Sequence, residues 1–147
     1  MSATSLSRRI NEFLGVTSFA LALLWLIALT TYDVSDTVWI FNTGGEYPPI
    51  NFFGQVGAFI AELSYQTFGY ASFLMPITLV ITGWNYFWCR PIDAAYTKLL
   101  GGTLLFGTTA ALLSLSFGTL ENGGRTFDAS GYFGSALSQW LAEYFNR

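Results

Sequence analysis

Few side chains among these 147 residues are able to do chemistry, and their spacing limits what chemistry is open to them. There is no histidine and one cysteine, Cys89. A Ser/His/Asp or Cys/His nucleophile therefore has no base, and a His/Cys metal site has too few ligands. A phosphate-cradling loop needs Gly-x-x-x-x-Gly-Lys-Ser/Thr, whose backbone N–H groups and lysine hold the phosphates. The only lysine, Lys98, instead precedes Gly101-Gly102. No carboxylates are paired at catalytic spacing. Glu62 is the one carboxylate within a mainly apolar helical stretch, and two roles are open to it. A carboxylate buried in a membrane is costly, so it marks a proton relay or a contact to a basic residue of a partner. Alternatively it marks the polar face of an interfacial helix that meets water or headgroups, which is the simpler reading. Cys89, beside Arg90, is either an acylation site or a small filler at a helix end. No catalytic residue, cofactor or metal is expected.

The elements that carry these residues are dominated by apolar runs. Residues 13–32 contain no charge and no proline. Twenty such residues are what an α-helix needs to cross a hydrocarbon core of ~30 Å. Residues 69–89 and 99–118 make two further spans. Hydrophobic residues are 52% of the chain and charged ones 10%, with a mean hydropathy of +0.46. A soluble domain carries roughly a quarter charged residues. The lipid bilayer is thus the main solvent. The six basic residues are scattered, which leaves no surface for direct nucleic-acid contact. The first span is too long for a secretory h-region, and no small-x-small cleavage pattern follows it.

Between the spans lie turn-rich segments and two amphipathic stretches. Residues 51–67 place Phe52, Val56, Phe59, Ile60 and Leu63 on one helical face, with Glu62 and Gln66 on the other. This predicts a helix lying in the interfacial plane. Residues 131–145 predict a second, too polar and too short to span. Phe53-Gly54 is echoed by Phe133-Gly134 and Ala61-Glu62 by Ala142-Glu143, at offsets of eighty and eighty-one. The echo reads either as an internal duplication or as two segments alike in composition. Residues 119–130 read as a polar loop. The fold class is all-α and polytopic: one membrane domain over 1–147 with three spans and two interfacial helices.

Orientation follows from basic residues, which collect on the cytoplasmic side. Arg8 and Arg9 flank one side, and Arg90 and Lys98 flank it again two crossings later. The other side holds Arg125 against Asp33, Asp36, Glu46, Glu121 and Asp128. The amino terminus is therefore expected in the cytoplasm of a bacterium. Asp93, with Arg90 and Lys98, either docks a partner or only sets topology. Gly101, Gly102, Gly107 and Ala111 give the third span small faces on which helices approach closely.

Arg8-Arg9-x-x-Glu12-x-x-Gly15, the acidic outer loop, Asn51-x-x-Gly54-x-x-Gly57, Gly69-x-Ala71 with Pro76, and Gly131-x-x-Gly134 follow one another in a recognisable order. They resemble the four-helix membrane domain of the FtsK/SpoIIIE DNA translocases. The resemblance implies an anchor for a cytoplasmic DNA-pumping ATPase at the division septum, with divisome contacts and hexamer assembly. It also implies a fourth helix, before which this chain is expected to stop. A second reading is an accessory structural subunit of a respiratory or photosynthetic complex, with lipid, other copies of itself or other membrane subunits as its partners.

Overall fold

The computed structural model describes residues 5–33, 35–36, 38, 48–90, 94–122 and 125–145. Asp93 and Glu46 lie outside the described residues. Five α-helices account for most of the rest. They are α1 (Ser5–Thr30), α2 (Gly54–Phe68), α3 (Leu74–Phe87), α4 (Ala95–Phe117) and α5 (Gly131–Phe145). A 3-10 turn, Gly69–Phe73, joins α2 to α3. Leu6–Thr30, Gly54–Phe87 and Ala95–Phe117 are long and apolar enough to cross a membrane, so the domain is an all-α polytopic membrane fold.

Three local features differ from expectation. First, α1 starts eight residues earlier than the apolar run, because Arg8 and Glu12 pair at i,i+4 and carry the helix into the polar segment. Second, α3 starts five residues later than the predicted span. Pro76 falls in its first turn, where a missing N–H breaks no helical hydrogen bond. The third is a hairpin in place of a loop at 119–130. Strands β1 (Thr119–Asn122) and β2 (Arg125–Asp128) pair antiparallel, Thr119 opposite Asp128 and Asn122 opposite Arg125.

The interior is small and the exterior is large. Ala22, Ala28, Ala58, Ala61, Ala71 and Ala110 are buried, whereas Phe13, Leu23, Leu104 and Leu115 are exposed. In lipid no hydrophobic drive pulls large side chains inward, so close packing of small ones decides the core. Leu29, Ala61 and Tyr65 form its centre, ringed by Trp25, Tyr32 and Phe73. Hydroxyls are hidden against the helices themselves: Ser18, Thr82, Thr103 and Thr109 each donate to the carbonyl four residues back, at 2.7–2.9 Å.

The tightest helix crossing joins α1 to α3. A Cβ built on Gly15 lies 2.8 Å from the Phe87 backbone nitrogen and 2.9 Å from the Gly83 carbonyl oxygen. A Gly15→Leu substitution is expected to prise the two helices apart. Overpacking of this kind costs about 1–3 kcal/mol or more, and the variant should lose its monodisperse peak on gel filtration in detergent.

Residues 51–68 and 131–145 echo one another in the fold, at an offset other than the sequence suggested. Gly54 and Gly131 each open a helix at positive φ, +59° and +61°. Gly57 and Gly134 are each buried one turn later. The structural register is therefore Gly54-x-x-Gly57 on Gly131-x-x-Gly134, an offset of 131 − 54 = 77 residues.

Candidate functional site

The polar residues that an apolar chain retains converge where α1 ends and α2 begins. Helix α1 has carbonyls without intrahelical partners at its C-terminus. The Asn51 side-chain amide donates to two carbonyls there, Ala28 at 2.9 Å and Thr31 at 3.2 Å. Its Oδ1 accepts the Phe53 N–H at 3.2 Å. A side chain at Gly57 would collide with Asn51, which explains the Asn51…Gly54…Gly57 spacing. Asp36, 3% exposed, accepts the backbone N–H groups of Ile50 at 2.6 Å and Asn51 at 3.1 Å. It thereby brings the two ends of the outer loop together. The Ser35 hydroxyl and amide hold the neighbouring Asp33 carboxyl below the usual carboxylate range. That contribution is present above the ordinary Asp pKa and is lost as pH falls through the lowered one.

Glu62 lies within this cluster and faces inward. It is 7% exposed, and both of its oxygens are engaged. The Tyr32 hydroxyl donates to Oε2 at 2.6 Å and the Gln66 amide to Oε1 at 2.7 Å. The expectation that Glu62 meets water or headgroups is corrected: its own chain surrounds it. The Trp25 indole N–H donates to Ser64 Oγ at 3.1 Å, and the Tyr65 hydroxyl to the Leu29 carbonyl at 3.3 Å. The rings of Tyr32 and Tyr65 lie 4.6 Å apart. Every one of these bonds is between residues thirty or more apart or across a turn of α2, so the cluster clasps α1 to α2.

The expected packing residues divide into two groups. Gly107 and Ala111 are buried on α4, and a Cβ built on Gly107 would lie 3.6 Å from Leu137 and 4.0 Å from Phe133 of α5. On the same side Gly134 lies against the Ala110 carbonyl, and Ser114 and Ser138 share a 2.9 Å hydrogen bond. Gly101 and Gly102 face open space. Gly15 and Gly83, which form the closest crossing, carried no packing role in the sequence. Their signal was a lone glycine inside each apolar helix. Gly69 and Gly131 also meet backbone to backbone, and the Tyr70 N–H donates to the Ala129 carbonyl at 2.9 Å.

Four of the basic residues, Arg8, Arg9, Arg90 and Lys98, lie toward one end. The Gly15–Phe87 contact sets the N-terminal end of α1 beside the C-terminal end of α3, which places Arg8, Arg9 and Arg90 together. Lys98 is in the first turn of α4. All four are exposed, and Arg8 pairs with Glu12 at 2.9 Å. Cys89 is half-buried, at positive φ (48°). Among the described residues there is no group of His, Cys, Asp and Glu able to hold a metal ion. Among the described residues, the arrangement is one of close helix crossings tied by hydrogen bonds between helices.

Comparison with known proteins gives this arrangement a lineage. The sequence profile of the 4TM region of DNA translocase FtsK/SpoIIIE matches residues 7–147. The DNA translocase FtsK of Vibrio vulnificus is 36% identical over 110 residues, 74% of this chain and 11% of the relative. That of Shewanella oneidensis is 31% identical over 128 residues, 83% of this chain and 14% of the relative. That of Pseudomonas aeruginosa is 26% identical over 147 residues, 96% of this chain and 18% of the relative. The chain thus spans less than a fifth of the length of these relatives. No solved structure matches it. Gly15, Asn51, Gly57, Gly69, Gly131 and Gly134, all at close contacts in the fold, are among the residues by which the sequence resembled this family, and with the profile matching from residue 7 onward the chain belongs to the 4TM region family of the FtsK/SpoIIIE DNA translocases.

Proposed function

We propose that this membrane domain of an FtsK-type protein, seated in a bacterial inner membrane, anchors a DNA translocase and brings copies of it together, without catalysing a reaction itself. The amino terminus is cytoplasmic, because Arg8, Arg9 and Arg90 share one end and basic flanks stay inside. The observation that carries the reading is the outward side of α4. Gly101 and Gly102 have nothing within 4 Å of an added Cβ, and Leu99, Leu100, Leu104 and Leu105 around them are 60–70% exposed. Small residues flanked by leucines on a lipid-exposed helix suit contact with another helix. The relatives are DNA translocases, which supplies the cargo to be anchored.

Cysteine cross-linking in native membranes tests this, using Gly101→Cys in a Cys89→Ser background of the full-length polypeptide. The expected result is a disulfide-linked pair of polypeptides much larger than 16.2 kDa, released by reductant. Two results overturn the reading: a single band near 16.2 kDa travelling with unrelated membrane subunits, or no cross-link at Gly101 or at a second site, Leu105→Cys.

A further inference from the structure

Helix α2 is turned inside out for a helix resting on a membrane surface. Such a helix presents its polar face to water and its apolar face to the bilayer. Here the polar face is spent on protein: Glu62 on Tyr32 and Gln66, and Ser64 on Trp25 and the Ile60 carbonyl. The outward face carries Val56, 64% exposed, and Leu63, 42% exposed, with Phe59 and Ile60 half-buried between them. Thr67 on that face gives its hydroxyl to the Leu63 carbonyl at 2.6 Å. Gln55 is the only exposed polar side chain of α2, and it stands in the first turn.

The path of α2 sets how deep that face lies. Asn51, just before α2, binds the carbonyls of Ala28 of α1 and of Thr31 just past its end, and Ser64 binds Trp25. Gly54 to Ser64 rises about 15 Å along α2, whereas Trp25 to Ala28–Thr31 is about 4–9 Å along α1. The helix therefore crosses α1 obliquely and descends from its outer end. Trp25 lies seven residues inside Tyr32, the outer limit of the apolar run, which is about 10 Å below it. Leu63, next to Ser64, comes to that level.

We propose that α2 is immersed in one leaflet as the descending arm of a bent crossing, with lipid acyl chains covering its Val56–Leu63 face. It enters near Phe52 and is deepest near Leu63. Glu62 is then held below the headgroups, shielded by its own chain from the lipid. This placement stands whether or not copies of the chain associate through α4.

Nitroxide accessibility tests it. Phe52→Cys, Val56→Cys and Leu63→Cys, each in a Cys89→Ser background, are labelled and reconstituted in phosphatidylethanolamine/phosphatidylglycerol vesicles. Ser35→Cys marks water, and Leu23→Cys, at the exposed middle of α1 and away from the α4 face, marks acyl chains. Collision with oxygen should exceed collision with a water-soluble nickel chelate several-fold at Val56 and Leu63, and the nickel signal should fall steadily from Phe52 to Leu63. Nickel access at Leu63 equal to that at Ser35 would overturn the proposal and return α2 to the surface. Protection of both Val56 and Leu63 from both reagents would overturn it too, by showing a protein cover.

Discussion

Alanine at Gly69 is expected to disrupt the junction of α2, α3, α5 and the hairpin, and alanine at Gly131 to do the same. Gly69 has φ +56° and Gly131 φ +61°. A Cβ on Gly69 would lie 2.6 Å from the Ala129 carbonyl carbon and 2.7 Å from the Gly131 nitrogen; one on Gly131 would lie 2.6 Å from the Phe68 nitrogen. The left-handed conformation costs an alanine about 1–2 kcal/mol. The overlap is with backbone on both sides, which no rotamer change relieves, so overpacking adds about 1–3 kcal/mol. A loss of about 3 kcal/mol should appear as a marked drop in the thermal midpoint of the detergent-solubilised chain. The two variants remove one shared contact, so the double variant should fall short of their sum. Gly101→Ala, where an added Cβ meets nothing within its own chain, is the control and should not lower the midpoint, since alanine is favoured over glycine inside a helix by about 0.5–1 kcal/mol. Equal behaviour of Gly69→Ala and Gly101→Ala would refute this account of the junction.

The second large effect is expected at Glu62. Glu62→Ala removes the acceptor that the Tyr32 hydroxyl and the Gln66 amide share, both half-buried and turned toward the carboxylate. A hydrogen bond contributes about 0.5–1.5 kcal/mol, so losing the two is expected to cost about 2 kcal/mol. Glu62→Gln should recover part of it, because an amide oxygen still accepts from Tyr32. A cycle of Glu62→Gln with Tyr32→Phe separates the clasp from mere volume: a coupling energy indistinguishable from zero would mean that the two side chains do not act together.

Much of this fold was legible from residue types. Uncharged runs of about twenty residues announce membrane helices, because an unpaired charge or backbone group is too costly in hydrocarbon for any other solution. The helix near 51–67 followed from apolar periodicity, and that at 131–145 from its echo of the first. Boundaries were less legible. The Arg8–Glu12 pair extends α1 beyond its apolar run, and the 3-10 turn at Gly69–Phe73 delays α3, through local hydrogen bonding that hydropathy ignores. The hairpin at 119–128 is held by pairing between strands of four residues, too short for a period-two pattern to register.

What the sequence by itself determined is the solvent, the helical class, and the family whose glycine spacing it shares. It did not determine which face of each helix looks inward. In water the apolar face must turn in, so periodicity reads out the core. In lipid both surroundings are apolar, and a stripe of leucines is equally at home facing protein or acyl chains. Only the tertiary structure placed Glu62 under Tyr32, set Gly15 against Gly83, matched Gly54 with Gly131, and left Gly101 and Gly102 facing outward. Those choices rest on close backbone approach and on satisfied hydrogen bonds between residues far apart in the chain, which no local pattern encodes.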